Sequence, residues 1–135
     1  MTEIELIKLA EKAVEKLKEK NKTLALAESC TGGLIGKRIT NVSGASKVFD
    51  CGIISYSNEI KHRILGVSEE ALKEYGAVSA EVAKQMAKGA LAVSGADIAV
   101  SVTGIGFLNQ RVHIVFSTQA VQVFPVCTFY FVVRG

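Results

Sequence analysis

"LALAESCTGGLIG", residues 24–36, sets how the rest of the chain is read. Its first half alternates and is apolar, like the end of a buried strand, and its second half opens like a helix. Between them stand Glu28, Ser29, Cys30 and Thr31, followed by Gly32 and Gly33, so one turn holds two nucleophile types beside a flexible backbone. A serine where a strand feeds a helix lies close to N–H groups that the helix leaves unbonded, and such donors suit an oxyanion. The same residue types also serve as a plain helix cap. Both readings stand at this point.

Outward from that turn, strand and helix signals alternate. "TLALA" gives a strand and "GGLIGKRITNV" a helix that stops before Ser43-Gly44. Upstream, Thr2 and Glu5 form a capping box, and Leu6, Leu9, Ala10, Ala13, Val14 and Leu17 recur at helical spacing over residues 3–20. Downstream, "KVFDCGIISYS" is rich in β-branched and aromatic residues and reads as a second strand, buried for most of its length. Ser68 with Glu69 and Glu70 opens a short helix that Gly76 ends. Ser79 opens another, with Val82, Ala83, Met86, Ala87, Ala90 and Leu91 on one face and Gly95 as a left-handed stop. "DIAVSVTG" is a third strand. The alternation predicts an α/β layer fold with helices covering a sheet.

A chain of 135 residues fits one domain, here 1–135, with a core that needs no staples. Three cysteines, Cys30, Cys51 and Cys127, show neither CxxC nor Cys/His metal spacing, which points away from a disulfide framework and toward a reducing, cytoplasmic setting. The charged N-terminus lacks an apolar h-region and a cleavage site, so it does not read as a signal peptide. A net charge of +3 is too small for a nucleic-acid binder, and the early lysines are interleaved with glutamates as on a solvated helix.

The tail differs in character. From Gly106 to Gly135 there is no acidic residue, while five of the six phenylalanines and the only proline, Pro125, fall there. "VHIVFS", "AVQVF" and "CTFYFVV" read as strands. A membrane span is the competing reading, but Gln119, Gln122 and Pro125 interrupt the run.

Serine is a poor nucleophile near neutral pH without a base to take its proton, and the chain offers His62, His113 or a lysine. No Ser-His-Asp set is visible. Lysine serves as a base when burial depresses its pKa far below about 10.4. Lys61, in "YSNEIKHR", lies just beyond the second strand and reaches Ser29 if the first two strands are neighbours. Against this, a lone lysine after a strand is ordinarily a solvated side chain, and Cys30 is small enough to be core packing.

Four motifs in order, "AESCTGG", "GIISYSNEIKHRILGV", "YGAVSAEVAKQMAKGA" and "GADIAVSVTGI", closely resemble the CinA C-terminal domain family, the PncC-type nicotinamide mononucleotide deamidases, over about residues 4–105. The resemblance implies a three-layer α/β/α fold with a mixed sheet. It implies hydrolysis of the nicotinamide carboxamide to the acid with release of ammonia, no metal or organic cofactor, a small-molecule nucleotide substrate, a role in pyridine nucleotide recycling and a homo-oligomer. By motif it makes Ser29 the nucleophile and Lys61 its base, places Tyr56 and Thr103 in the substrate pocket, and makes backbone N–H groups from Cys30 through Thr31, Gly32 and Gly33 the candidate oxyanion donors. It also places the chain with the stand-alone form of the domain. Three readings therefore remain open: a Ser-Lys amidase, a thiol amidase acting through Cys30, and a non-catalytic nucleotide-binding or assembly module. A role in competence or DNA damage finds no support in these residues.

The chain departs from the family after "VTGI". Members continue with a glycine-rich loop, a strand, a second strand ending in a "GDR"-like turn, and a final helix. Here "VHIVFS" and "FYFVVRG" stand for the two strands, the glycine loop and helix are absent, and Arg134 matches the expected arginine only loosely. The tail is either a divergent strand pair or the product of a shifted reading frame. The parts expected to hold a phosphate are missing, so the expectation is a Ser-Lys centre that handles the mononucleotide poorly.

Overall fold

The computed structural model describes residues 2–104, 120–123 and 127–134. Helix α1 (Glu3–Glu19) starts at the expected capping box: Glu5 N–H donates to Thr2 Oγ1 at 3.1 Å and Thr2 N–H to the Glu5 carboxylate at 2.7 Å. Strand β1 (Leu24–Glu28) then leads into the turn and a short helix α2 (Leu34–Thr40), two residues shorter at each end than the sequence suggests. After one turn of 3₁₀ helix at Ala45–Lys47 comes strand β2 (Phe49–Ile54). Helices α3 (Asn58–Leu65), α4 (Glu69–Tyr75) and α5 (Ala80–Ser94) follow, and then strand β3 (Ile98–Gly104). In the tail, β4 (Ala120–Val123) and β5 (Cys127–Val133) fall within two of the expected strands, while "VHIVFS" lies outside the described residues.

The strands form one mixed sheet in the order β2-β1-β3-β5-β4. β1 lies between β2 and β3 and is parallel to both; β5 runs antiparallel to β3 and β4. Neighbouring parallel strands need crossover connections over a face, and these place helices on both sides of the sheet. On one face Leu24 and Leu26 pack with Val14 of α1 and Ile39 of α2; on the other, Ala25, Ala27 and Ala99 pack with α3, α4 and α5. This is the three-layer α/β/α arrangement. The six apolar positions expected on α5 are all buried, and burying side chains such as Val82 or Met86 contributes roughly 1.5–3 kcal/mol each.

Two expectations need correction. β2 is not buried for most of its length: it is an edge strand in which half-buried and exposed residues alternate. Its β-branched composition reported a strand correctly but not its place in the sheet, because an edge strand still lays one side on the core. Residues 58–65, read only as a stretch beyond a strand, form α3. The signals were in the sequence: Ser57 Oγ accepts from Ile60 N–H as N-cap, and Gly66 closes the helix at φ 68°. Among the described residues, no helix is long and apolar enough to cross a membrane.

Candidate active site

The pleat of β1 sends successive side chains to opposite faces, so Glu28 and Ser29 part company at the end of the strand. Glu28 turns with Leu24 and Leu26 toward α2. Its carboxylate, buried at 2% exposure, accepts from Thr31 Oγ1 at 2.7 Å and from the N–H groups of Ile35 and Gly36, each at 2.9 Å. Gly33, the N-cap, has no side chain to offer, so Glu28 caps α2 from the strand and satisfies two of its open donors. Gly36 makes room for this: a Cβ there stands 3.3 Å from Glu28 Oε2. No local pattern in the sequence assigns Glu28 this part. An acidic residue seven to eight positions ahead of helix donors is not a local capping pattern, so spacing alone did not reveal it.

Ser29 turns the other way, with Ala25 and Ala27, toward α3. Its N–H donates to the Val102 carbonyl at 3.1 Å, which continues the β1–β3 ladder by one residue. On α3, Lys61 is 1% exposed, and its Nζ lies 3.1 Å from Ser29 Oγ, 2.9 Å from the Ser55 carbonyl and 2.8 Å from the Tyr56 carbonyl. No ion pair among the described residues involves Lys61. Burial pushes its amine below the usual 10.5, and the electrostatic influence of the nearby Cys30 offsets only part of that shift. A neutral amine here has a natural fit: two N–H bonds donate to the two carbonyls, and the lone pair faces the Ser29 hydroxyl. Lys61 is thus a buried side chain and not the solvated one of the opposing reading, because it sits on the inner side of an amphipathic helix.

The other sequence-derived residues are placed less uniformly around this pair. Tyr56 brings its carbonyl to Lys61, while its side chain is 74% exposed. Thr103 is buried beside the end of β1, with its hydroxyl donating to the Ala77 carbonyl at 2.8 Å. Thr31 gives its hydroxyl to Glu28. Gly32 and Gly33 take φ values of 60° and 100°, which suit glycine alone, and Gly32 N–H donates to the Ser29 carbonyl within the turn. Cys30 is half-buried. Arg134 is not at this end of the molecule: its guanidinium donates to the Leu91 and Ala96 carbonyls, beyond the start of β3. Among the described residues, no group of three or more His, Cys, Asp or Glu side chains is arranged to hold a metal ion.

The sequence pattern of the CinA C-terminal domain matches residues 6–109. The chain belongs to that family. A Caldicellulosiruptor saccharolyticus family member named for competence-damage induction is 65% identical over 97 residues, covering 72% of this chain and 24% of the relative. A nicotinamide-nucleotide amidohydrolase PncC of Enterobacter agglomerans is 51% identical over 105 residues, covering 78% of this chain and 64% of the relative. The chain therefore spans about a quarter of the first and under two thirds of the second. Among solved CinA structures, the competence/damage inducible protein CihA of Agrobacterium tumefaciens superposes with a TM-score of 0.81 at 36% identity, over 96% of this chain and 74% of that one.

Proposed function

We propose that this CinA-family chain hydrolyses the carboxamide of nicotinamide mononucleotide, giving nicotinate mononucleotide and ammonia through an acyl-enzyme on Ser29. The observation that carries the reading is the buried Lys61 amine, held by two carbonyls and 3.1 Å from the Ser29 hydroxyl. The PncC name of the Enterobacter relative supports the choice of substrate.

In the reaction, Ser29 Oγ forms a bond to the carboxamide carbon while its proton passes to the Lys61 lone pair. The tetrahedral oxyanion is met by turn N–H groups. Gly32 and Leu34 N–H already donate within the turn, and those of Ile35 and Gly36 donate to Glu28, so Thr31 and Gly33 N–H are the donors assigned here. The carbon–nitrogen bond breaks as Lys61 returns its proton to the nitrogen, and ammonia leaves. Water, deprotonated by the same amine, then cleaves the ester and restores Ser29. Tyr56, exposed at the mouth, and Thr103 line the approach of the substrate. The phosphate needs groups other than Arg134, so turnover is slow and KM high. The working form is a cytoplasmic homo-oligomer.

Ammonia release from nicotinamide mononucleotide tests the reading. Ser29→Ala is expected to abolish it, by on the order of a thousandfold or more, and Cys30→Ala to leave it largely intact. The reverse pattern assigns the reaction to the thiol. A parent with no release, yet able to bind the mononucleotide, makes the chain a binding module.

A further inference from the structure

Ser55 is the one residue among those described whose side chain holds a buried polar atom without a hydrogen-bond partner. It is fully buried, at 0% exposure. An unmet hydroxyl in a core costs about 1–3 kcal/mol, and Ala fits the same space without that cost. The position of Ser55 is informative. Its N–H donates to the Glu28 carbonyl at 2.8 Å, so β2 and β1 continue side by side for one residue past the Ile54–Glu28 pair, and Ser55 stands next to Ser29. On the pleat it follows Cys51 and Ile53, which pack toward α5, so its side chain lies on the face that carries Ser29 and receives Lys61. Its own carbonyl accepts from Lys61 Nζ at 2.9 Å.

We propose that Ser55 is a positioning residue for the protonated Lys61: its hydroxyl, unmatched in the resting enzyme, turns to accept the third ammonium N–H once Ser29 Oγ has attacked the carboxamide carbon and the tetrahedral intermediate has formed. This rests on the Ser29–Lys61 reading above. In the resting state the two N–H bonds of the neutral Lys61 amine donate to the Ser55 and Tyr56 carbonyls, and its lone pair faces the Ser29 hydroxyl at 3.1 Å. When Ser29 Oγ bonds to the carboxamide carbon and gives up its proton, Nζ carries three hydrogens and Ser29 Oγ becomes an ether-type oxygen of the tetrahedral intermediate, a weak acceptor. The Ser55 oxygen accepts the newly formed third N–H until the proton moves on to the leaving nitrogen. An interaction present after proton transfer and absent before it lowers the barrier without tightening substrate binding. It also accounts for a buried hydroxyl left open in the ground state.

Ser55→Ala is the test, with Ser55→Cys as a second variant of similar volume and weaker acceptor strength. Two readouts are taken. The first is ammonia release from nicotinamide mononucleotide across pH; the second is the rate at which an alkyl fluorophosphonate labels Ser29, read by intact mass. In labelling, the Ser29 oxygen–phosphorus bond forms, fluoride leaves, and Lys61 takes the proton. Both variants are expected to lower kcat and the labelling rate by roughly tenfold to a hundredfold. KM and the acid limb of the pH profile stay in place, and the melting temperature of Ser55→Ala is equal to or above the parent's. Rates within about twofold of the parent overturn the inference. So does a shifted acid limb or a lower melting temperature in both variants, since either marks Ser55 as packing for Lys61. Labelling without ammonia release removes only the substrate assignment, and a parent whose Ser29 is not labelled removes the Ser-Lys centre and this inference with it.

Discussion

Lys61 is a cation by default, and its site contains carbonyls, a hydroxyl and apolar helix packing, with no carboxylate bonded to it. Desolvation therefore decides its state, and the amine is held below 10.5. Two pH effects follow. kcat/KM rises with pH as Lys61 loses its proton in the free enzyme, with the acid limb at the lowered value, below 10.5. Stability follows linkage: between the lowered folded value and the unfolded one, the unfolded chain binds more protons. Folding stability thus climbs with pH through that window and levels off above it. Urea melts at several alkaline pH values are expected to show this climb in the parent and a weaker one in Lys61→Met; equal slopes exclude a depressed lysine. Ser29 and Lys61 were both legible as candidates, since a serine in a strand-to-helix turn and a lysine past the next strand are visible in the sequence. Ser55 and Glu28 were not, because what marks them is a missing partner in one case and a non-local cap in the other.

At the scale of elements, the site depends on how closely α3 lies on α5. Gly89 sits in the middle of α5, and a Cβ built on it falls 2.0 Å from the Leu65 carbonyl oxygen, at the end of α3. That neighbour is backbone, so it yields only if the helix moves. Gly89→Ala gains up to about 1 kcal/mol of helix propensity and is opposed by overpacking of about 1–3 kcal/mol. The expected result is a modest net loss of stability with a much larger loss of kcat, since shifting α3 draws Lys61 away from Ser29. Parallel thermal melts and kinetics check this: an unchanged kcat in a folded Gly89→Ala protein shows that α3 is not held by this contact. The glycine could be seen in the sequence as a weak point in a helix, but its helix partner could not.

Over the whole molecule, the sheet separates two ends. Ser29 and Lys61 lie past the C-terminal ends of β1 and β2, whereas Arg134 donates from its N–H to the Asp97 carbonyl at 2.7 Å, before β3 begins. Five residue steps lead from Asp97 to Val102, beside Ser29, which is about 17 Å at 3.3 Å per residue. Arg134 caps α5 through the Leu91 carbonyl and within one chain lies at the far end of the sheet from Ser29. Arg134→Ala is expected to lower stability by about 1 kcal/mol, discounted for its exposure to solvent, and to leave KM for nicotinamide mononucleotide unchanged. A several-fold rise in KM assigns the arginine to the substrate after all. Asp97 ties the same end together through Thr23, whose N–H and hydroxyl donate to its carboxylate at 2.9 and 3.2 Å.

The amino-acid sequence alone determined the layered α/β plan, the bounds of α1, α4 and α5, and the serine turn. These follow from periodicity, caps and glycines, which act between residues close in the chain. Tertiary structure alone decided that β2 forms an edge, that α3 turns Lys61 into the core beside Ser29, that Glu28 caps α2 across the turn, and that Arg134 belongs to the far end. Each of those depends on which strands are neighbours and which face a side chain takes, and burial and pairing between distant segments have no local signature to read.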